Sequence, residues 1–245
     1  HPQHRRQRQM CIRDRMHIVF VTTFGQKGGV AKTCTSIHLA AHWANSGRSV
    51  VLVDSDRNRS ATAYASRGLL PFDVVPMEAA AKATRNAEIV VTDGQASSNE
   101  EELKNLVEGS DFIVLPTTSQ SRSIELTVEM SCMLNKFDIP YAALIVKADA
   151  RKKASIQLAR SILSGFNIQV LDTEIPLLNA FENAETEGVT VDRAVTKSGR
   201  SDRRRMSGFF AYSQACREIE MLMPKPKVIP MPMGWNLSRL EDRAA

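Results

Sequence analysis

The stretch Phe24-Gly25-Gln26-Lys27-Gly28-Gly29-Val30-Ala31-Lys32-Thr33 constrains this chain more than any other, because of what stands on either side of it. Before it, Ile18-Val19-Phe20-Val21-Thr22-Thr23-Phe24 is β-branched and aromatic enough for a buried strand. After it, Ile37, Leu39, Ala40, Ala41, Trp43 and Ala44 recur at helical spacing. The stretch therefore joins a strand to a helix. Adjacent glycines let the backbone approach an anion closely, and the first N–H groups of the helix face the same point with a dipole of about half a charge. Lys32 adds a movable positive charge, and the Thr33 hydroxyl suits Mg²⁺. The expected phosphate cradle is Gln26, Lys27, Gly28, Gly29, Val30, Ala31, Lys32, Thr33 and Cys34.

Two further apolar runs end in acids. Ser49-Val50-Val51-Leu52-Val53-Asp54 leads into Ser55-Asp56, and Ala87-Glu88-Ile89-Val90-Val91-Thr92-Asp93 leads into Gly94. Carboxylates at strand ends beside a phosphate loop suit Mg²⁺ and water; a plain strand end, with Ser60 capping the next helix, is the bland alternative. Asp93 is the expected metal-associated acid, and Gly94 is expected to leave room beside a terminal phosphate. Further along come a strand at Asp111-Phe112-Ile113-Val114-Leu115-Pro116, a helix over about 121–136 and a strand at Tyr141-Ala142-Ala143-Leu144-Ile145-Val146-Lys147. An amphipathic helix over 149–166 and a short strand at Ile168-Gln169-Val170-Leu171 follow. Between Gly68 and Arg85 the pattern is weaker, with a short strand near Phe72-Asp73-Val74-Val75 and an alanine-rich helix from Met77 to Ala83. Strand–helix alternation predicts an α/β fold of the phosphate-loop NTPase kind: a mostly parallel twisted sheet, helices on both faces, and ligands at the carboxyl ends of the strands.

The motif Lys-Gly-Gly-x-x-Lys-Thr resembles the deviant phosphate loop of the ParA/MinD ATPases, whose signature is the extra lysine, here Lys27. Gln26 and Ala31 occupy the two outer positions that are glycine in the standard spacing. The resemblance implies ATP and Mg²⁺ as cofactors and an ATP-dependent sandwich homodimer, in which Lys27 reaches phosphates held by the other subunit. It also implies slow, partner-stimulated ATP hydrolysis with Lys27, Lys32 and Asp56 as catalytic residues, Asp56 positioning the attacking water and Asp54 joining Asp93 to support the Mg²⁺ shell. Where the family has Asp-x-Asp-Pro-Gln, this chain has Asp54-Ser55-Asp56-Arg57-Asn58; Asp93-Gly94 before Ala96-Ser97-Ser98 looks most like the small plasmid-partition ParA proteins. In such proteins the segments at Lys147 and Ile175-Pro176 border the adenine.

Arg193, Lys197, Arg200, Arg203, Arg204 and Arg205 form the densest basic segment, interleaved with Ser198, Gly199 and Ser201, and are expected to contact DNA phosphates without base readout. A solvated helix start is the alternative. Residues 1–15 resemble a translated sequencing adapter rather than native protein, and they supply five arginines against Asp14, most of the formal net charge of +5. The expected organisation is a non-native leader over 1–15, one ATPase domain over 16–223 and a flexible proline-rich tail over 224–245. Pro226, Pro230 and Pro232 in that tail disfavour a continuous amphipathic membrane anchor. No run is long enough for a membrane span, and Cys34, Cys132 and Cys216 are spaced as packing thiols rather than metal or cluster ligands.

The resemblance thus implies a cytoplasmic, nucleoid-associated ATPase that positions a plasmid or other cargo, with non-specific DNA and a ParB-like or other cargo adaptor as partners and membrane disfavoured. The alternatives are an ATP-gated scaffold with negligible turnover and a MinD-like positioning ATPase at a membrane.

Overall fold

The computed structural model describes residues 18–26, 28–95, 100–196 and 198–224. Seven strands form one all-parallel sheet: β1 (Val19–Thr23), β2 (Val50–Asp54), β3 (Asp73–Pro76), β4 (Ile89–Asp93), β5 (Phe112–Thr117), β6 (Tyr141–Ala148) and β7 (Val170–Pro176). Their order across the sheet is β3-β2-β4-β1-β5-β6-β7. Among the described residues eight α-helices connect or follow them: α1 (Lys32–Asn45), α2 (Ser60–Ala65), α3 (Met77–Ala83), α4 (Glu100–Glu108), α5 (Ser121–Leu134), α6 (Lys153–Gly165), α7 (Asn179–Glu187) and α8 (Arg205–Leu222).

Continuous apolar runs suit strands covered on both faces, and every residue of β2 and β5 is buried. One face packs Ile37, Leu39, Ala40 and Trp43 of α1 with Tyr212, Ala215, Cys216 and Ile219 of α8 over Val21, Leu52, Val91 and Val114. The other face carries Leu103 and Val107 of α4, Met130 and Leu134 of α5, and Ile156, Ala159 and Leu163 of α6. Trp43 Nε1 donates to Glu220 Oε1 at 2.8 Å, fixing α8 against the helix that follows the phosphate loop. No helix among the described residues is long and apolar enough to cross a membrane.

The expected strands and most of the long helices are present with shifted ends. The helix expected over 149–166 opens as a 3₁₀ turn, Ala150–Lys152, before α6, because the Asp149 carboxylate accepts from Arg151 N at 3.0 Å and tightens the entry. Residues 1–17, 96–99, 197 and 225–245 lie outside the described residues, so the leader, the Ala96-Ser97-Ser98 subgroup signal and the greater part of the tail do too.

Candidate functional site

β1, β2 and β4 lie side by side in register, with Thr23 opposite Asp93 and Asp54 opposite Asp93. The loop after β1 and both acids therefore meet at one sheet edge. The loop turns on left-handed residues: Gly29 has φ +77, and Ala31, the residue before α1, has φ 58 and ψ 34. Ala31 is thus held in the left-handed region that favours glycine, at a cost of about 1 kcal/mol. Lys27 lies outside the described residues; Gln26 is half-buried, Gly28 and Gly29 exposed, and Val30 buried beneath them.

Lys32 is 9% exposed, and burial pushes its pKa down while Asp93 and then Asp56 pull it back up. Both carboxylates thus lie near the ammonium. Asp93 is itself fully buried: Oδ1 accepts from Ser36 Oγ at 2.8 Å, whereas Oδ2 has no hydrogen-bond partner. Burial raises its pKa to about 6 against the Thr33 and Ser36 hydroxyls, with Asp54 pushing the same way and Lys32 opposing. The Thr33 hydroxyl is near enough to act on Asp93, yet Oδ2 lacks a hydrogen bond. An orphaned carboxylate oxygen beside a lysine and a threonine hydroxyl fits Mg²⁺, which takes one or two carboxylates together with substrate phosphates and waters. Among the described residues no three His, Cys, Asp or Glu side chains gather as a protein-only cage.

Asp54 is arranged differently. Its Oδ2 accepts from Thr62 N at 2.8 Å and Thr62 Oγ1 at 2.7 Å, and its Oδ1 from Asp56 N at 3.2 Å. These bonds fold residues 55–59 back over the strand end and hold the first turn of α2. Asp56 reaches the cavity; its Oδ1 accepts from Asn58 N at 3.0 Å, and Arg59, at φ 53, forks onto Glu78 of α3 at 2.7 and 2.9 Å.

A cavity of about 390 Å³ opens in front of the loop. At the phosphate end Gly28, Gly29, Ala31, Lys32, Thr33, Cys34, Asp56 and Asn58 line it. Beyond them the wall is mainly apolar, from Val146, Ile175, Pro176, Leu177, Leu178, Phe181 and Tyr212, with Lys147, Glu182 and Glu185 as charged members. Lys147 and Ile175-Pro176, the segments expected to border an adenine, share this cavity with the loop. A larger groove of about 520 Å³ between α5 and α6 holds no loop residue, so size alone would misplace the site.

Sequence reasoning missed α7 and the aromatic stack behind the loop. His38 of α1 stacks on Tyr212 with ring centroids 5.0 Å apart and meets the Phe181 ring edge-on at 5.3 Å. Its Nδ1 lies 2.7 Å from Cys34 O and its Nε2 accepts from Val191 N at 3.0 Å; burial lowers its pKa to about 4, keeping the ring neutral. Burial also pushes the Cys34 thiol up to about 12, which makes it a packing residue rather than a nucleophile. Packing requires Gly94: a Cβ there would sit 2.6 Å from Thr23 O.

The basic residues are spread over three local structures: Arg193 ends a 3₁₀ turn, Arg200 lies before an isolated bridge, and Arg203, Arg204 and Arg205 lead into α8. Val195 bridges Ser201 antiparallel, Gly199 turns the tip at φ +72, and α8 begins at Arg205. Arg193, Arg200, Arg203 and Arg204 are exposed and Arg205 half-buried, while Lys197 lies outside the described residues. The first turn of α8 has no acidic residue, but the Asp202 carboxylate just before it accepts from Arg204 N at 2.8 Å, so one acid offsets the arginines at that end of the helix.

A strand-loop-helix cradle, an acid at the neighbouring strand end and a cavity continuing past the cradle define a phosphate-loop nucleotide-binding protein. Residues 21–191 match the CobQ/CobB/MinD/ParA nucleotide binding domain, and the chain belongs to that family. It is 28% identical over 182 residues to the maintenance of carboxysome distribution protein A of Gloeobacter kilaueensis, covering 70% of this chain and 82% of that one. In fold it is similar to MinD in the MinC:MinD cell division complex of Aquifex aeolicus, with TM-score 0.66, 13% identity, and 85% and 98% of the two chains covered. It is also similar to a plasmid partition protein of Borrelia burgdorferi bound to AMPPNP, with TM-score 0.62, 16% identity, and 84% and 99% covered.

Proposed function

We propose that this chain, as a single domain over about 16–223, is a positioning ATPase of the ParA/MinD kind. It binds ATP with Mg²⁺, pairs with a second copy, and holds DNA non-specifically in that state. The observation that carries the reading is Asp93 Oδ2, buried without a hydrogen-bond partner behind Lys32 and Thr33, which line the cavity.

Thr33 and Asp93 would hold the Mg²⁺, which supplies neutralisation of phosphate charge when bound. Lys32 and the loop amides stabilise the transferring phosphoryl group; Lys27, reaching across to the second subunit, adds a further cation. Asp56, on a loop tied to Asp54 and α3, orients the attacking water. Arg193, Lys197, Arg200, Arg203, Arg204 and Arg205 bind the DNA backbone, a reading the exposure of Arg193, Arg200, Arg203 and Arg204 supports. Hydrolysis, stimulated by a cargo adaptor, returns the protein to monomers with low DNA affinity, a cycle run in the cytoplasm over the nucleoid. The cargo is a large body such as a plasmid or, as the carboxysome-distribution relative suggests, a protein compartment.

The test is binding of mixed-sequence DNA with ADP, ATP and a non-hydrolysable analogue at two salt concentrations, beside sedimentation and single-turnover hydrolysis. ATP-dependent, salt-sensitive binding is expected, and Lys32→Ala should abolish both dimer and DNA binding. An unchanged ATP-driven dimer in that variant would remove the loop from the mechanism. Dimer and DNA binding without single-turnover cleavage would leave an ATP-gated scaffold, and binding to anionic vesicles in place of DNA a membrane-positioning protein.

A further inference from the structure

The geometry points to a positioning role for Lys147, resting on the nucleotide reading: we infer that it locks one peptide plane of the phosphate loop in the anion-binding orientation. Its Nζ donates to Gly29 O at 2.9 Å, joining the end of β6 to a loop 118 residues away. The contact is built by distorting the strand. Lys147 has φ 53 inside β6, and the pairing of β6 with β7 slips between Ile145 and Ala148. A long side chain disfavours that backbone. Without the slip a residue between buried Val146 and buried Ala148 would point at the opposite helical layer. The bulge turns it onto the loop instead.

What it grips is a plane that one of its two neighbours leaves free. Gly29 has open space around a would-be Cβ, so its ψ meets no side-chain restraint, and the Gly29–Val30 peptide can swing about that bond with compensation at φ of Val30. In a trans peptide the carbonyl of one residue and the N–H of the next point opposite ways. Holding Gly29 O on Lys147 therefore holds Val30 N–H into the loop, between the two left-handed residues Gly29 and Ala31, an arrangement that makes an anion-binding nest. Released, the plane would present a carbonyl oxygen to the anion.

Three variants test this. Lys147→Met removes the donor at similar length and should weaken ADP and AMPPNP alike by about 5-fold in isothermal titration, with the salt dependence unchanged. It should also speed hydrogen exchange of residues 28–31 in the nucleotide-free protein by a similar factor. Lys147→Arg keeps a donor and should restore both. Lys147→Gly relieves the backbone and should hold or raise the melting temperature while still weakening binding, a combination a merely structural contact would not give. Unchanged exchange in Lys147→Met overturns the latch, whether affinity stands or falls; a fall carried by a changed salt slope would make Lys147 a plain phosphate cation. Wild-type protein that binds no nucleotide would sink the proposed function instead, and the exchange comparison would still decide the latch.

Discussion

Asp54 and Asp93 stand opposite each other in register at the ends of adjacent strands, both buried. They do different work. Asp54 spends its oxygens on Thr62 and the Asp56 amide, so it shapes the loop that carries Asp56. Asp93 keeps Oδ2 unpartnered and has its pKa raised to about 6. A buried carboxylate left like this is unfavourable unless something cationic arrives. The pair teaches that a strand-ending acid is read by what its second oxygen touches, which neither position nor burial reveals.

The sharpest way to break the comparison is to remove Asp54. Asp54→Ala strands the Thr62 and Asp56 N–H groups and should destabilise the nucleotide-free protein by about 4 kcal/mol in denaturant unfolding. A loss no larger than that of an ordinary surface substitution would refute its loop-holding part.

Asp93→Asn should act in the opposite direction. The folded pKa of about 6 lies above the reference 3.8, so below about pH 4 both folded and unfolded chains carry the proton and nothing is lost. Between about 4 and 6 the folded state keeps a proton the unfolded state has released, and stability falls as pH rises. Above about 6 the full penalty, about 3 kcal/mol, is present. The neutral amide removes it but buries an unpaired N–H, leaving a net gain of about 2 kcal/mol at pH 7 and a flat profile from 4 to 6. Nucleotide binding with Mg²⁺ should be lost in the same variant, and in wild type should weaken as pH falls through 6. A variant that is less stable at pH 7 would place Asp93 with Asp54 as a structural acid.

Much of this contrast was hidden from the sequence. The sheet was legible because parallel strands buried on both faces must be apolar runs, and the loop because Gly28-Gly29 and Lys32-Thr33 sit between such a run and helical spacing. The partners of Asp54 and Asp93 depend on how residues 55–62 fold back, and that is set by tertiary contacts. α7 went unread because nine residues with few apolar positions give little periodicity, yet it supplies Phe181, Glu182 and Glu185 to the cavity. Lys147 gave no signal beyond its departure from the small polar residues of similar proteins, since a bulge that redirects one side chain leaves the apolar pattern around it intact.

The smallest effect concerns Ala31, where the sequence departs from the standard glycine while the backbone is left-handed. An alanine at φ 58 costs about 1 kcal/mol over glycine there, while glycine gives the unfolded chain more freedom to lose. Ala31→Gly should therefore raise stability by only about 0.5 kcal/mol. Its larger meaning lies in the loop. Ala31 closes the nest that Gly29 opens, and its Cβ narrows the dihedrals the loop can visit when empty. If the alanine serves to hold the cradle in shape, Ala31→Gly should bind nucleotide no better and exchange residues 28–31 faster, despite its gain in stability. Tighter binding in proportion to that gain would instead make the alanine a tolerated flaw, leaving the loop's order to Lys147.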